Sequence, residues 1–306
     1  MWMRCQVPGG RVVARKLFVR FNSSSKNRWL TRQQNDHYTR EAKIQNLRSR
    51  AAFKLMEIDD KFKIFCGNTP QRVLDLGFAP GAWSQVASRR IGDGGMVLGV
   101  DILPCNPPPG VSSIQANILS RKTHELIRLY FSKHFKLNKH DDIHEDHGYL
   151  RHMTEELSQE SDCETYREVF SPDITPDKVG KYPIDVIISD MYEPWPQDSG
   201  FWTNITNAAY YRMANTSGLA IRDHYQSIDL CDAALVTAID LLKPRGHFVC
   251  KLYTGKEDKL FEKRLKKVFR RVNRFKPVAC RDESKEVYFV AREKRHDVDK
   301  LQVFTD

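Results

Sequence analysis

Four charged residues stand in settings that ordinarily exclude charge. Lys54 is set among Ala51, Ala52, Phe53, Leu55, Met56 and Ile58, and Asp190 closes the apolar run 184–189. Lys251 follows Phe248, Val249 and Cys250, and Glu286 opens the run 286–291. Such side chains are almost never buried unless paired. Two amines and two carboxylates brought together from these distant positions would form one shared polar site, able to align a substrate and move a proton.

A second constellation lies at 73–86, Val-Leu-Asp-Leu-Gly-Phe-Ala-Pro-Gly-Ala-Trp-Ser-Gln-Val. Val73, Leu74 and Leu76 suit a buried strand, Pro80 stops it, and Gly77 and Gly81 let the backbone pass close to a ligand on the way into a helix. Asp75 lies at the end of this strand, and Asp101 ends the next one, 96–100. A carboxylate at such a strand end can take both hydroxyls of an adenosine ribose. The Gly-x-x-x-Gly spacing lacks the Gly-x-Gly-x-x-Gly that brings a pyrophosphate onto a helix N-terminus, which argues for a nucleoside and against a dinucleotide. Taken alone, the stretch also fits an ordinary strand–turn–helix of an α/β domain.

The elements that must position these residues alternate. Further strands are expected at 111–115, 184–189 and 247–252, and helices at 121–136, 227–242 and 258–271. The polar, basic stretch 26–50 should run on into a helix through 51–58, and a closing hairpin should pair 278–280 with 286–291. This order predicts a doubly wound α/β sheet with its site at the carboxyl edge of the strands. The run 184–189 is almost wholly apolar and belongs in the middle of a covered sheet. The loop 191–202 carries Tyr192, Trp195, Phe201 and Trp202, is broken by Pro194 and Pro196, and reads as a substrate platform.

The chain has 306 residues, enough for one large domain, expected over 26–306. Its formal charge of +10 favours a polyanionic partner, nucleic acid before membrane. The seven cysteines are scattered without a Cys-x-x-Cys, so reduced thiols and no zinc site are expected. No apolar run approaches the roughly 20 residues that cross a bilayer.

Residues 1–25 carry five basic residues and three serines, and the first acid is Asp36, as in a mitochondrial targeting segment; a basic RNA-binding arm is the alternative. Within 26–60, Arg28, Arg32, Arg40, Lys43, Arg48 and Arg50 alternate with Trp29, His37 and Tyr38, the mixture that single-stranded or looped RNA requires. The helix 258–271 offers a second basic face. The stretch 138–180 is acid-rich and poor in large aliphatics, and reads as a surface insertion. His140, His144, His147 and His152 in it are read as solvated rather than metal-binding.

Several motifs in order give a specific likeness: Leu47-Arg-Ser-Arg-Ala-Ala-Phe-Lys54-Leu, the stretch 73–85, Ser189-Asp190-Met191, Val249-Cys-Lys251 and Ser284-Lys-Glu286-Val-Tyr-Phe-Val. With these the chain resembles the FtsJ family of S-adenosyl-L-methionine-dependent rRNA ribose 2′-O-methyltransferases over 47–291, most closely the mitochondrial branch. The resemblance implies a mostly parallel seven-stranded sheet with a C-terminal antiparallel strand, and a Lys-Asp-Lys-Glu catalytic tetrad on Lys54, Asp190, Lys251 and Glu286. It places the cofactor, S-adenosyl-L-methionine, against Gly77, Pro80, Gly81, Ala82, Trp83, Asp101, Asn117 and Asp190. The implied partner is ribosomal RNA, alone or within an assembling mitochondrial large ribosomal subunit in the matrix, the implied target a uridine, and the expected state a monomer. Asn117 stands where the family usually has Asp, and Tyr192-Glu193-Pro194 where it has Ala-Pro-Asn.

The implied reaction is an in-line attack of a ribose 2′-hydroxyl on a sulfonium methyl, which calls for alignment and a base but no metal. Lys251 is the candidate base, with Asp190 orienting it, Lys54 on the ribose or phosphate, and Glu286 fixing the hydroxyl or a lysine. Two other classes stay open, an RNA-binding ribosome assembly factor with little catalysis and a nucleotide-dependent oxidoreductase. The first would tolerate loss of a tetrad member, and the second wants the absent phosphate-binding glycines.

Overall fold

The computed structural model describes residues 36–131, 181–193, 195–196, 213–214 and 216–305. In chain order these form α1 (His37–Ile44), α2 (Ala51–Phe62), β1 (Arg72–Leu76), α3 (Ala82–Arg90), β2 (Met96–Asp101), β3 (Val111–Gln115) and α4 (Arg121–Phe131). Then come β4 (Ile184–Ser189), β5 (Trp195–Pro196), β6 (Met213–Ala214), α5 (Ala220–Leu241), β7 (Leu242–Tyr253), α6 (Asp258–Val268), β8 (Phe269–Phe275), β9 (Glu286–Lys294) and α7 (Lys300–Phe304). The main sheet has seven strands in the order β3-β2-β1-β4-β7-β9-β8. The first five are parallel, and β9 is antiparallel to both β7 and β8.

Successive strand residues point to opposite faces, so the apolar strands need cover on both sides. Leu74, Leu98, Ile187, Phe248 and Phe289 meet Ile127 of α4, Leu235 of α5 and Phe261 of α6. Their neighbours Val73, Val97, Val186, Val249 and Val290 meet Leu55 and Ile58 of α2 and Val86 of α3. The doubly wound sheet expected from alternation is therefore present, with its antiparallel strand at the C-terminal side.

Pairing register gathers the strand ends. Leu76 is opposite Ser189, and Ser189 opposite Cys250, so Asp190 and Lys251 emerge side by side at the carboxyl edge. Lys251 is opposite Tyr288 and Tyr253 opposite Glu286, which delivers the start of β9 to the same place.

Four boundaries differ from the sequence reading. The stretch 45–50 breaks the helix expected to run through it, with Asn46 at φ 52. α5 begins at Ala220 rather than 227, because its polar first turns find tertiary partners: Asp223 accepts from Ser217 (2.6 Å) and His224 Nδ1 bonds the Tyr253 carbonyl (2.7 Å). β7 begins at Leu242 rather than 247, its Lys-Pro-Arg-Gly taken up in a bulge with Arg245 at φ 66.

The fourth concerns 269–280. Phe269, Val272 and Phe275 repeat at helical spacing, yet they pair along β9 as a sheet edge, so Arg270 and Arg271 sit on a strand. The expected partner 278–280 is instead a turn held by Glu57, which accepts from the Val278 N–H (2.5 Å) and the Ala279 N–H (2.9 Å). Residues 132–136 of the expected fourth-helix stretch, the acidic stretch 138–180, and Phe201 and Trp202 lie outside the described residues, as do residues 1–35.

Candidate active site

The turn from β1 into α3 needs its glycines. Gly77 and Gly81 have φ of 71° and 99°, and a Cβ would stand 3.0 Å from Met191 Cα at the first and 2.9 Å from Pro108 Cδ at the second. Asp101 braces this turn from the end of β2: its carboxylate accepts from the Ala79 N–H (3.0 Å) and the Leu103 N–H (2.9 Å). Burial raises its pKa against these two bonds. Each oxygen keeps acceptor capacity for a hydroxyl donor.

Asp75 lies beneath. It is fully buried, accepts from Ser84 Oγ (2.6 Å), and its other oxygen has no partner among the described residues. Burial, and then the negative charges of Asp190 and Asp101, push its carboxyl up to about 8. Near neutral pH Asp75 therefore keeps its proton, and Asp101 and Asp190 are left to carry negative charge at the ends of β2 and β4. Two such acids suit a cationic ligand, and S-adenosyl-L-methionine, with a sulfonium and an ammonium against one carboxylate, fits them.

The remaining expected cofactor residues divide by what their side chains do. The Trp83 ring is buried, donates its Nε1–H to the Ala51 carbonyl (2.9 Å) and packs 5.6 Å from the Tyr288 ring, so it braces the helix that carries Lys54. Ala82 is buried at the start of α3. Asn117 Oδ1 accepts from the Leu119 N–H (3.0 Å), turning the chain toward α4. Pro80 offers its carbonyl to Arg48 (2.8 Å), and the same guanidinium holds the Asn106 (2.5 Å) and Pro107 (2.9 Å) carbonyls. Arg48 therefore ties the glycine turn to the proline-rich loop 104–110.

The four separated charges do converge. Lys54 Nζ lies 2.5 Å from Glu286 Oε1, and Lys251 Nζ lies 3.0 Å from Asp190 Oδ1 and 2.7 Å from the Asp190 carbonyl oxygen. The Lys251 side chain is only 2% exposed and that of Asp190 21%, so the pair opens toward solvent on the acid's side. Burial pushes the Glu286 carboxyl up, but the charges of Lys54 and Lys251 and the bonds from Lys54 and Tyr288 outweigh it and hold it below its usual value.

Two tyrosines join the site, and one of them, Tyr288, escaped the sequence reading. Tyr288 hydroxyl donates to Glu286 Oε1 and lies 3.2 Å from Asp190 Oδ1, bridging the two ion pairs. Burial, then Asp190 and Glu286, raise its pKa far above the ordinary value, so it stays a donor. Its signal was present: on a strand, i+2 from Glu286 is the same face. Tyr192, at the first step of the expected platform loop, sets its ring 5.0 Å from Lys251 Nζ.

The basic N-terminal stretch is partly spent on structure. Arg48 is occupied as described, and Arg50 pairs with Asp36 (2.7 Å) and donates to the Ala279 carbonyl. Tyr38 packs 5.4 Å from the Phe53 ring. Arg40 and Lys43 remain on α1, while Arg28, Trp29 and Arg32 lie outside the described residues, as do the four histidines near the acidic stretch.

Comparison with known proteins decides the family. The model of the FtsJ-like methyltransferase family matches residues 47–294. The chain belongs to that family. It is 65% identical over 302 residues to rRNA methyltransferase 2, mitochondrial, of Saccharomyces cerevisiae, covering 95% of this chain and 94% of that protein. The protein of the same name from Schizosaccharomyces pombe is 33% identical, covering 90% and 99%. The ribosomal RNA large subunit methyltransferase E of Rickettsia bellii is 32% identical, covering 90% and 95%. As an FtsJ-like methyltransferase, the chain presents its tetrad and its glycine turn on one sheet edge.

Proposed function

We propose that this chain methylates the ribose 2′-hydroxyl of a uridine in mitochondrial large-subunit rRNA, using S-adenosyl-L-methionine and acting as a monomer. The observation that carries this reading is the meeting of Lys54, Asp190, Lys251 and Glu286 at the sheet edge that also holds Asp101 and the glycine turn. The printed names of its relatives in yeasts and bacteria, all rRNA methyltransferases, support the substrate class.

S-adenosyl-L-methionine would supply a methyl group on a sulfonium, already a good leaving group. Gly77, Pro80, Gly81 and the backbone of Ala82 and Trp83 would form its cradle, with Asp101 on its ribose hydroxyls and Asn117 near its base. Lys251 takes the proton of the attacking 2′-hydroxyl. Asp190 holds that amine through two acceptors, and Tyr288 keeps Asp190 and Glu286 from repelling one another. Lys54, anchored on Glu286, positions the ribose or its phosphate. A scaffold without catalysis would have no use for this arrangement.

Residues 1–25 serve in this reading as the targeting segment, removed on import, and 26–306 as the methyltransferase domain. N-terminal sequencing of the protein from mitochondria checks the cleavage, and an intact Met1 would count against it. The activity is tested by incubating the protein with isotopically labelled S-adenosyl-L-methionine and mitochondrial large-subunit rRNA. Label should enter RNA at one position that becomes resistant to alkaline cleavage, because alkali needs a free 2′-hydroxyl. Label on a base, or none, would overturn the reading.

A further inference from the structure

A groove of roughly 570 Å³ lies away from the tetrad, where the end of α6 meets the edge strand β8 and the far end of β9. Its walls include Lys266, Arg270, Arg271, Arg292 and Arg295 with Asn273, and no carboxylate of the described residues lines it. Phe275 is opposite Tyr288 at the tetrad end of this edge, and Phe269 opposite Lys294 at the other. From Glu286 to Arg292 is six residues of strand, so the groove sits about 20 Å from the catalytic edge.

Its cations differ in what they do. Arg271 pairs with Glu293 (3.1 Å), Lys266 with Glu262 (2.6 Å), and Arg292 donates to the Phe62 carbonyl (3.1 Å) while its buried Nε meets no acceptor among the described residues. Arg270 and Arg295 are exposed, and neither side chain has an ion pair or hydrogen bond among the described residues. The backbone is shaped here as well. Glu293 is held at φ 62, and the ladder passes from Phe269↔Lys294 to Arg271↔Arg292 without pairing Arg270. A non-glycine residue in that region is strained and persists where the surroundings impose it.

We infer that this groove is a second anion site that takes backbone phosphates of the same RNA whose ribose is methylated, about 20 Å from the reacting nucleotide. This rests on the proposed rRNA substrate. Charges on an edge strand also guard against strand-to-strand aggregation. A guard needs cations on the edge alone, however, whereas Lys266 comes from a helix, Arg292 from the neighbouring strand and Arg295 from beyond it. Guanidiniums converging in one groove match phosphate oxygens in geometry and charge, and they position an RNA without reading its sequence.

The test is the full-length double variant Arg270→Gln/Arg295→Gln, which leaves the paired cations in place. Affinity for a fragment of mitochondrial large-subunit rRNA is measured by fluorescence anisotropy from low to high salt, alongside kcat and KM for methyl transfer. The slope of log affinity against log salt should fall by about 1.4 for two lost phosphate contacts, and KM should rise several-fold with kcat unchanged. A fragment too short to reach the groove should show neither change. An unaltered slope overturns the inference even if the wild type methylates RNA. It then leaves either an edge guard, seen as self-association of the variant by light scattering, or a lipid contact, seen as lost retention on anionic vesicles. Absence of methyl transfer by the wild type would instead strike the proposed function, and the slope would still decide the groove.

Discussion

Asp190 holds Lys251 twice, through its carboxylate at 3.0 Å and through its own main-chain carbonyl at 2.7 Å. An amine with two N–H groups so occupied is fixed in direction, and in its neutral form it would present its lone pair to the open side of the site. Lys251→Arg keeps a positive charge, but a guanidinium cannot be deprotonated near neutral pH. Single-turnover methyl transfer should fall by the ~10²–10⁴ associated with general base catalysis, and Lys251→Ala should fall equally, both with cofactor and RNA affinity within a few-fold of wild type. Near-normal turnover in the arginine variant would assign deprotonation to water or to another member of the tetrad.

Tyr288 stands between the two ion pairs. Tyr288→Phe removes a bond that helps hold the Glu286 carboxyl low, so that carboxyl should titrate at higher pH in the variant. The Glu286 titration profile, followed by NMR of the labelled carboxyl, should move upward, and kcat should drop more than cofactor affinity. A profile superimposable on wild type after scaling would reduce Tyr288 to packing.

Asp101 is expected to bind the cofactor ribose. Asp101→Ala should weaken S-adenosyl-L-methionine by at least the ~1.5 kcal/mol of hydrogen bonds to a charged acceptor, and leave RNA affinity unchanged. Calorimetry is the measurement, and equal affinities would move the ribose elsewhere.

Asp75 makes a prediction about stability. Its folded pKa, about 8, lies above the ordinary 3.8, so between those values the native state binds the extra proton. Its contribution is therefore complete below about pH 4 and is lost as pH rises toward 8, at ~1.4 kcal/mol per unit. Asp75→Asn, which can still bond Ser84, should gain on the wild type steadily from pH 5 to pH 8 in urea titrations. A constant difference across that range would show the carboxyl already ionised at pH 5.

Much of this was legible in the sequence, because burial and turning leave local marks. The runs 73–76 and 184–189 had to be covered strands, since nothing else so apolar and short ends on a charge, and Gly77 and Gly81 had to be a close turn. Lys54, Asp190, Lys251 and Glu286 were recognisable singly as charges in apolar settings. Their order of contact was not, because it depends on β9 running antiparallel beside β7. That pairing sets Lys251 opposite Tyr288 and gives Glu286 to Lys54 rather than to Lys251. The same dependence hid β8, whose phenylalanines and valine repeat as a helix would and become a strand only when β9 offers its edge. Local sequence records which residues must be buried, turned or capped. Which partner each one meets is a property of register and strand order, and these are decided by pairings between separate stretches of the chain, such as Val73 with Val186 and Lys251 with Tyr288.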